Sequence, residues 1–302
     1  MLRRSFALVV ASAIALVGLS SAGGATRPTP PFPVSVVAAN GKVTVARKPM
    51  RIVSLSPTST EILFAIGAGA QVIAVDDQSD VPKNAPRTKL SGFTPNVEAI
   101  AAYKPDLVVA AFDPKGLVAA LRKLRITVVL HPAAANLTDA YRQIDQLGRL
   151  TGNRHQAGSV VVRMQKRIRE IVSSAKPHRS LSVYHELGPD FYSATSATFV
   201  GKVYGLFGLS NIADAADATS SGYPQLSPEY IISRSPDLIV LADSVCCSQT
   251  PATVAARPGW SRIAAVRTAS IVRIDDTIAS RWGPRIVNFV RAEATALRRL
   301  GA

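Results

Sequence analysis

The chain has 302 residues, 47% hydrophobic and 18% charged, with a formal net charge of +15. That length suits two domains of ordinary size with a substantial core. The excess of positive charge could suit nucleic acid, a membrane surface or an anionic ligand. The basic residues are scattered, without an arginine-rich run or an aromatic-interleaved basic motif, so no nucleic-acid partner is expected.

Arg3 and Arg4 precede an apolar run from Ser5 to Ala22, followed by small residues through Ala25. This predicts a secretory signal peptide over residues 1–25. Arg3-Arg4-Ser5-Phe6 partly fits a twin-arginine signal, and an uncleaved anchor is the alternative, since the run could just span a bilayer. No cysteine closes the run. The expectation is therefore a periplasmic or otherwise extracytoplasmic protein that is not a lipoprotein. Residues 26–47 read as a tether leading into a strand.

Residues 48–152 read as an α/β lobe. Arg51-Ile-Val-Ser-Leu-Ser is a short buried strand, and Thr58-Ser-Thr-Glu61 opens a helix stopped at Gly67. Val72–Val75 is a strand, Asp76–Lys89 a polar loop, and Asn96 caps a short helix. Asp106–Ala111 is a parallel-type strand buried on both faces. A helix (Lys115–Leu124), a strand (Ile126–Leu130) and a second helix (Leu137–Leu150) complete the lobe.

Residues 153–177 form the organising element. Val160, Val161, Met164, Ile168, Ile171 and Val172 recur with the spacing of a helix that buries one face. At ~1.5 Å per residue such a helix spans roughly 30 Å, enough to act as a strut. Residues 178–302 form a second α/β lobe. Its strands are expected at Leu181–Glu186, Phe191–Ala194, Asp237–Leu241 and Ile271–Ile274, and its helices at Phe199–Phe207, after Ser227, near Trp260 and from about Trp282.

The lobes share a repeat. Glu98-Ala-Ile100 followed by Lys104-Pro-Asp-Leu-Val-Val109 reappears as Glu229-Tyr-Ile231 followed by Ser235-Pro-Asp-Leu-Ile-Val240. Two copies of one α/β unit around a strut imply a pseudo-twofold molecule with mainly parallel sheets and a cleft between lobes. Ligands of such sheets bind beyond the carboxyl ends of the strands.

The run RIVSLSPTSTEILFAIGAG, the NVEAI–KPDLVV pair, the central helix and the SPEYII–SPDLIV pair together resemble periplasmic substrate-binding proteins of cobalamin and ferric-siderophore ABC importers. The match covers residues 50 to 300. The resemblance implies two α/β lobes bridged by one helix and a bound cobalt or iron chelate, with haem as the alternative cargo. It also implies a membrane permease with its ATPase subunits as partner, and a monomer without a cofactor of its own.

No HExxH, GxSxG, Walker loop or metal-spaced cysteine–histidine set occurs, and Gly201-Lys202 lacks the glycines of a phosphate loop. No catalytic or metal-ligating residue is therefore assigned, and an enzyme on this scaffold is the lesser alternative. Glu98 and Glu229 each fall in the first turn of a helix. They either complement a helix dipole or, as the resemblance implies, dock the lobes onto permease arginines. Phe93 and Tyr223 lie in corresponding turns, where the resemblance implies contact with a corrin; lobe packing is the other reading. Tyr184, His185 and Glu186 end a strand that should point at the cleft, although a histidine there could be a structural hydrogen-bonder. Arg281 and Trp282 match a ligand-contacting position of the family. Gln78 stands where the cobalamin-type pocket has an aromatic. Cys246 and Cys247 are adjacent in a loop, a possible vicinal disulfide acting as a local clip.

Overall fold

The structure, a computed structural model, describes residues 32–301. The expected signal peptide lies outside the described residues. The first elements, β1 (Val34–Ala38) and β2 (Gly41–Val45), pair antiparallel. Val36, Val43 and Val45 are buried, with Thr44 exposed between the last two, the two-residue period of a strand with one covered face. Asn40 in the turn donates to the carbonyl of Val128 (2.9 Å) and accepts from the amide of Leu130 (3.1 Å). The expected tether with a single leading strand is thus, over its described part, a hairpin tied to the first lobe.

That lobe continues through β3 (Ile52–Leu55), α1 (Pro57–Ala65), β4 (Val72–Asp76), β5 (Arg87–Leu90), α2 (Val97–Ala102), β6 (Leu107–Ala110), α3 (Leu117–Lys123), β7 (Thr127–Leu130) and α4 (Leu137–Thr151). Its sheet is parallel, in the order β5-β4-β3-β6-β7. β5 falls inside the expected polar loop. Only Leu90 of its four residues is buried, so an edge strand here carries no apolar signature.

α5 (Arg154–Ser173) follows Gly152, which ends α4 in the left-handed region at φ 75°. A Cβ on Gly148 would lie 2.2 Å from that of Ala157, so glycine allows α4 and α5 to pack this closely. Ala157, Val160, Met164 and Ile168 are buried along α5. Burying the three larger side chains contributes about 1.5–3 kcal/mol each. The helix ends at Ser173, four residues before Pro177.

The second lobe comprises β8 (Ser182–Glu186), α6 (Phe199–Leu206), β9 (Ser210–Asn211), α7 (Pro228–Arg234), β10 (Leu238–Leu241), α8 (Pro251–Ala255), α9 (Ala264–Arg267), β11 (Ile271–Arg273), α10 (Asp276–Ala279) and α11 (Ile286–Arg299). Its parallel sheet runs β11-β10-β8-β9. The strand expected at Phe191–Ala194 reduces to one bridge between Tyr192 and Gln225.

The repeat has a structural cause. Asp106 accepts from the amides of Met50 and Arg51 at 2.9 and 3.0 Å, at the entry to β3. Asp237 accepts from the amide of Ser182 at 2.9 Å, at the start of β8. Each Pro-Asp aspartate thus fastens the first strand of its lobe's sheet. Lys104 and Ser235, just before those prolines, both adopt positive φ, 49° and 43°.

One apolar core joins an inner face of each sheet to α1, α4, α5, α6 and α11. The opposite sheet faces have separate cores, around Val53, Val108 and Leu121 in the first lobe and around Tyr184, Ile239 and Trp260 in the second. Among the described residues no helix is long and apolar enough to cross a membrane.

Candidate functional site

In each sheet the strand order reverses at one place: between β3 and β6, and between β8 and β10. The carboxyl ends of strands at such a switch point are where open parallel sheets bind ligands. In the first lobe, Phe112 follows β6 there and is exposed. Its ring stacks on that of Phe93 with centroids 5.4 Å apart. Phe93 sits in the turn before α2, whose Asn96 side chain accepts from the amide of Ala99. Tyr223 holds the corresponding place before α7, capped by Ser227. Phe93 is 64% and Tyr223 54% exposed, too open for core residues. Lobe packing therefore does not account for them. Phe112 is an addition to the expected set. Its signal was an aromatic directly after a fully buried strand.

The lobes meet through charge. Glu61 of α1 is buried and accepts from Arg285 at 2.6 and 2.9 Å and from Arg281 at 3.0 Å. Arg281 also pairs with Asp80 at 2.7 Å and donates to the carbonyl of Gln78 at 3.1 Å. Beside it, Trp282 donates from Nε1 to Gln143 of α4 at 2.8 Å. α1 begins past the carboxyl end of β3, and the turn carrying Arg281 follows β11 through α10. The two carboxyl edges thus face one another at this clasp. Arg281 and Trp282 reach the expected region, but Arg281 is neutralised by carboxylates rather than free for a ligand. The expected role of Glu61 as a helix opener also gives way: Ser56 caps α1, its side chain accepting from the amide of Ser59. Asp76, buried at the end of β4, is pushed up to about 6 by burial. Gln78 is exposed.

Tyr184, His185 and Glu186 are buried and do not line an open cleft. Successive residues of β8 point to opposite sheet faces rather than off the strand's end. Tyr184 packs edge-on against Trp260, with centroids 6.3 Å apart. The ring of His185 is bonded through Nδ1 to the Tyr204 hydroxyl at 2.6 Å, and burial pushes it down to about 3, so it is neutral. Glu186 is held bidentately by Arg257 at 2.6 and 2.7 Å. Arg257 lies over the Trp260 ring, 4.5 Å from its centroid, and donates to Gln249. Asp243, past the end of β10, is buried with neither oxygen partnered by another group among the described residues. Burial first, then the nearby Glu186 charge, push it up to about 7.

Glu98 and Glu229 are exposed in the first turns of α2 and α7. Asn96 and Ser227 already cap those helices, and neither glutamate makes a side-chain hydrogen bond among the described residues. Cys246 and Cys247 are free thiols, not a bonded pair. Among the described residues no group of three or more His, Cys, Asp or Glu is placed to hold a metal ion. A groove of about 550 Å³ lies along α5, lined by Arg163, Met164, Lys166 and Val287. It flanks helix sides away from the strand ends, so side-chain chemistry rather than cavity size locates the site.

Known proteins agree with this architecture. An uncharacterised ABC transporter substrate-binding lipoprotein of Bacillus subtilis is 32% identical over 284 residues, covering 90% of this chain and 88% of its own length. A cobalamin-binding protein of Halobacterium salinarum is 32% identical over 321 residues, covering 97% and 85%. The crystal structure of a possible iron-binding, periplasmic solute-binding protein from Staphylococcus epidermidis superposes with a TM-score of 0.70 at 28% identity, covering 83% of this chain and 99% of that one. The Bacillus relative, named a lipoprotein, contradicts the expectation that the chain is not one. That expectation rested on a missing cysteine in a segment outside the described residues, and it does not stand. A family profile described as periplasmic binding protein matches residues 52–277, and the chain belongs to that family.

Proposed function

We propose that the protein is an extracytoplasmic carrier that captures a metal chelate between its lobes and delivers it to an ABC permease with its ATPase subunits. A corrinoid or a ferric siderophore is the cargo. The family is one of substrate-binding proteins rather than enzymes, and this chain acts by binding without turnover. The observation that carries the reading is the pair of exposed aromatic turns, Phe93 stacked on Phe112 in one lobe and Tyr223 in the other. Aromatic faces on both sides suit a large flat macrocycle, whose burial rewards rigid apolar walls. The cobalamin-binding relative, aligned over 97% of the chain, supports the corrinoid. Haem, a second flat metallomacrocycle, fits the same walls.

In this reading residues 48–152 and 178–302 are the lobes and 153–177 the connecting segment. Glu98 and Glu229 dock one on each permease subunit, as exposed, uncommitted carboxylates at equivalent places. The carrier works as a monomer, since the partner itself supplies the twofold symmetry. Native mass spectrometry of the purified protein tests the proposal. A retained corrinoid, haem or iron complex at one per chain supports it, and a converted substrate molecule in its place opposes it.

A further inference from the structure

Cys246 and Cys247 lie in the loop leaving the carboxyl end of β10, with Cys246 exposed and Cys247 half-buried. Adjacent Cα atoms are ~3.8 Å apart, short of the ~4.4–6.8 Å of ordinary disulfides. A bond between these sulfurs would be strained, and strained, exposed disulfides are the labile ones. The Cys246 thiol is pushed up to about 12, by its Cys247 neighbour first, then by burial and the Asp276 carboxylate.

One carboxylate holds this loop in place. Asp276 accepts from the amides of Val245 at 3.0 Å and Cys246 at 2.7 Å. The amide of Cys247 donates to the carbonyl of Asp243 at 3.2 Å. Asp276 is also the first residue of α10, and its neighbour Thr277 accepts from Arg285 at 2.9 Å. Arg281 lies two residues past the end of α10. The short helix is thus bonded to the cysteine loop at its start and joined to the clasp on Glu61 at its end.

We propose that Cys246 and Cys247 form a reversible dithiol–disulfide site, oxidised by exchange with a small or protein disulfide, whose state reaches the interlobe clasp through Asp276 and α10. The Cys247 thiolate attacks the partner disulfide and expels one partner thiolate, giving a mixed disulfide. Cys246 then gives up its proton, attacks the Cys247 sulfur and expels the other partner thiolate. The partner gains two electrons and takes up the two protons; the chain loses both. Ring closure turns the 246–247 peptide, which breaks the Cys247 amide's bond to Asp243 and pulls the neighbouring Cys246 amide away from Asp276. The inference is independent of the carrier reading, because it needs no ligand.

Titration of the full chain with oxidised glutathione, read by thiol counting, intact mass and amide exchange, tests it. Both thiols should vanish, with the mass falling by two hydrogens, no glutathione adduct and full recovery in dithiothreitol. Exchange across 276–279 should rise about tenfold as that segment loosens. Cys246→Ser and Cys247→Ser should show neither the closed ring nor the exchange change. Thiols that stay titratable in excess oxidised glutathione, a stable adduct or disulfide-linked dimers overturn the site. A disulfide formed without change in 276–279 overturns its link to the clasp.

Discussion

Nη1 of Arg281 lies 3.0 Å from Oε1 of Glu61, a residue 220 positions earlier and in the other lobe. The contact is buried: the side chain of Glu61 is 3% exposed and that of Arg281 10%. Together with α5 it fixes the angle between the lobes, because closing or opening the cleft would strand charges inside the protein.

The clasp should be asymmetric under mutation. Glu61→Ala leaves Arg285 and part of Arg281 without a counter-charge, and breaking a buried pair costs about 3–5 kcal/mol. Arg281→Ala leaves Glu61 still paired with Arg285, so it should cost less, about 1–2 kcal/mol. Urea unfolding of the two variants, with the double mutant to measure coupling, checks the order.

Stability should fall with rising pH because of Asp243. Its folded pKa of about 7 stands above the unfolded value of ~3.9. Between those values the folded chain holds a proton that the unfolded chain has released. The resulting stability is complete below about pH 4 and is lost as pH rises toward and through about 7. Asp243→Asn should remove this loss, matching the wild type near pH 4 and exceeding it increasingly up to pH 8. Thermal unfolding across that range reads the difference; an unchanged profile would refute the assignment.

Two aromatic residues, one exposed and one buried, should behave oppositely. Phe93→Ala should weaken chelate binding about tenfold or more, each ~1.4 kcal/mol of lost contact being tenfold, with little change in unfolding. His185→Ala should leave affinity near wild type. It should also cost about 2–4 kcal/mol of stability, from a cavity and an orphaned Tyr204 hydroxyl. Parallel titration and denaturation of both variants separate the roles.

Glu98→Ala and Glu229→Ala should leave ligand affinity unchanged and cost at most ~1 kcal/mol of stability, the scale of one charge at a helix N-terminus. Transport through a reconstituted permease should fall in each and further in the double mutant. Lysine at either place should be worse than alanine, because like charges would then oppose each other. Normal transport by both alanine variants would make them dipole complements only.

Most of the architecture was legible because it is written in short-range pattern. The unbroken apolar run Leu107, Val108 and Val109 of β6, the stripe of α5 and the repeated Pro-Asp pair all announce themselves locally. β5 and β9 were not legible: one is a polar edge strand and the other two residues long. At the site, the exposed turns with Phe93 and Tyr223 could be read by symmetry. Tyr184, His185 and Glu186 could not, because a strand's end in sequence does not say which side chains leave the sheet. The Glu61–Arg281 pairing is a contact between residues far apart in the chain, and nothing local encodes it.

Capture of a metal chelate between the lobes is the proposal on which every transport role above depends. Calorimetric titration of the purified protein with cobalamin, haem and a panel of ferric siderophores tests it most directly. One-to-one binding of at least one of them is expected at micromolar affinity or better, about −8 kcal/mol. Failure of every chelate to bind more tightly than about millimolar, only ~4 kcal/mol, would contradict it.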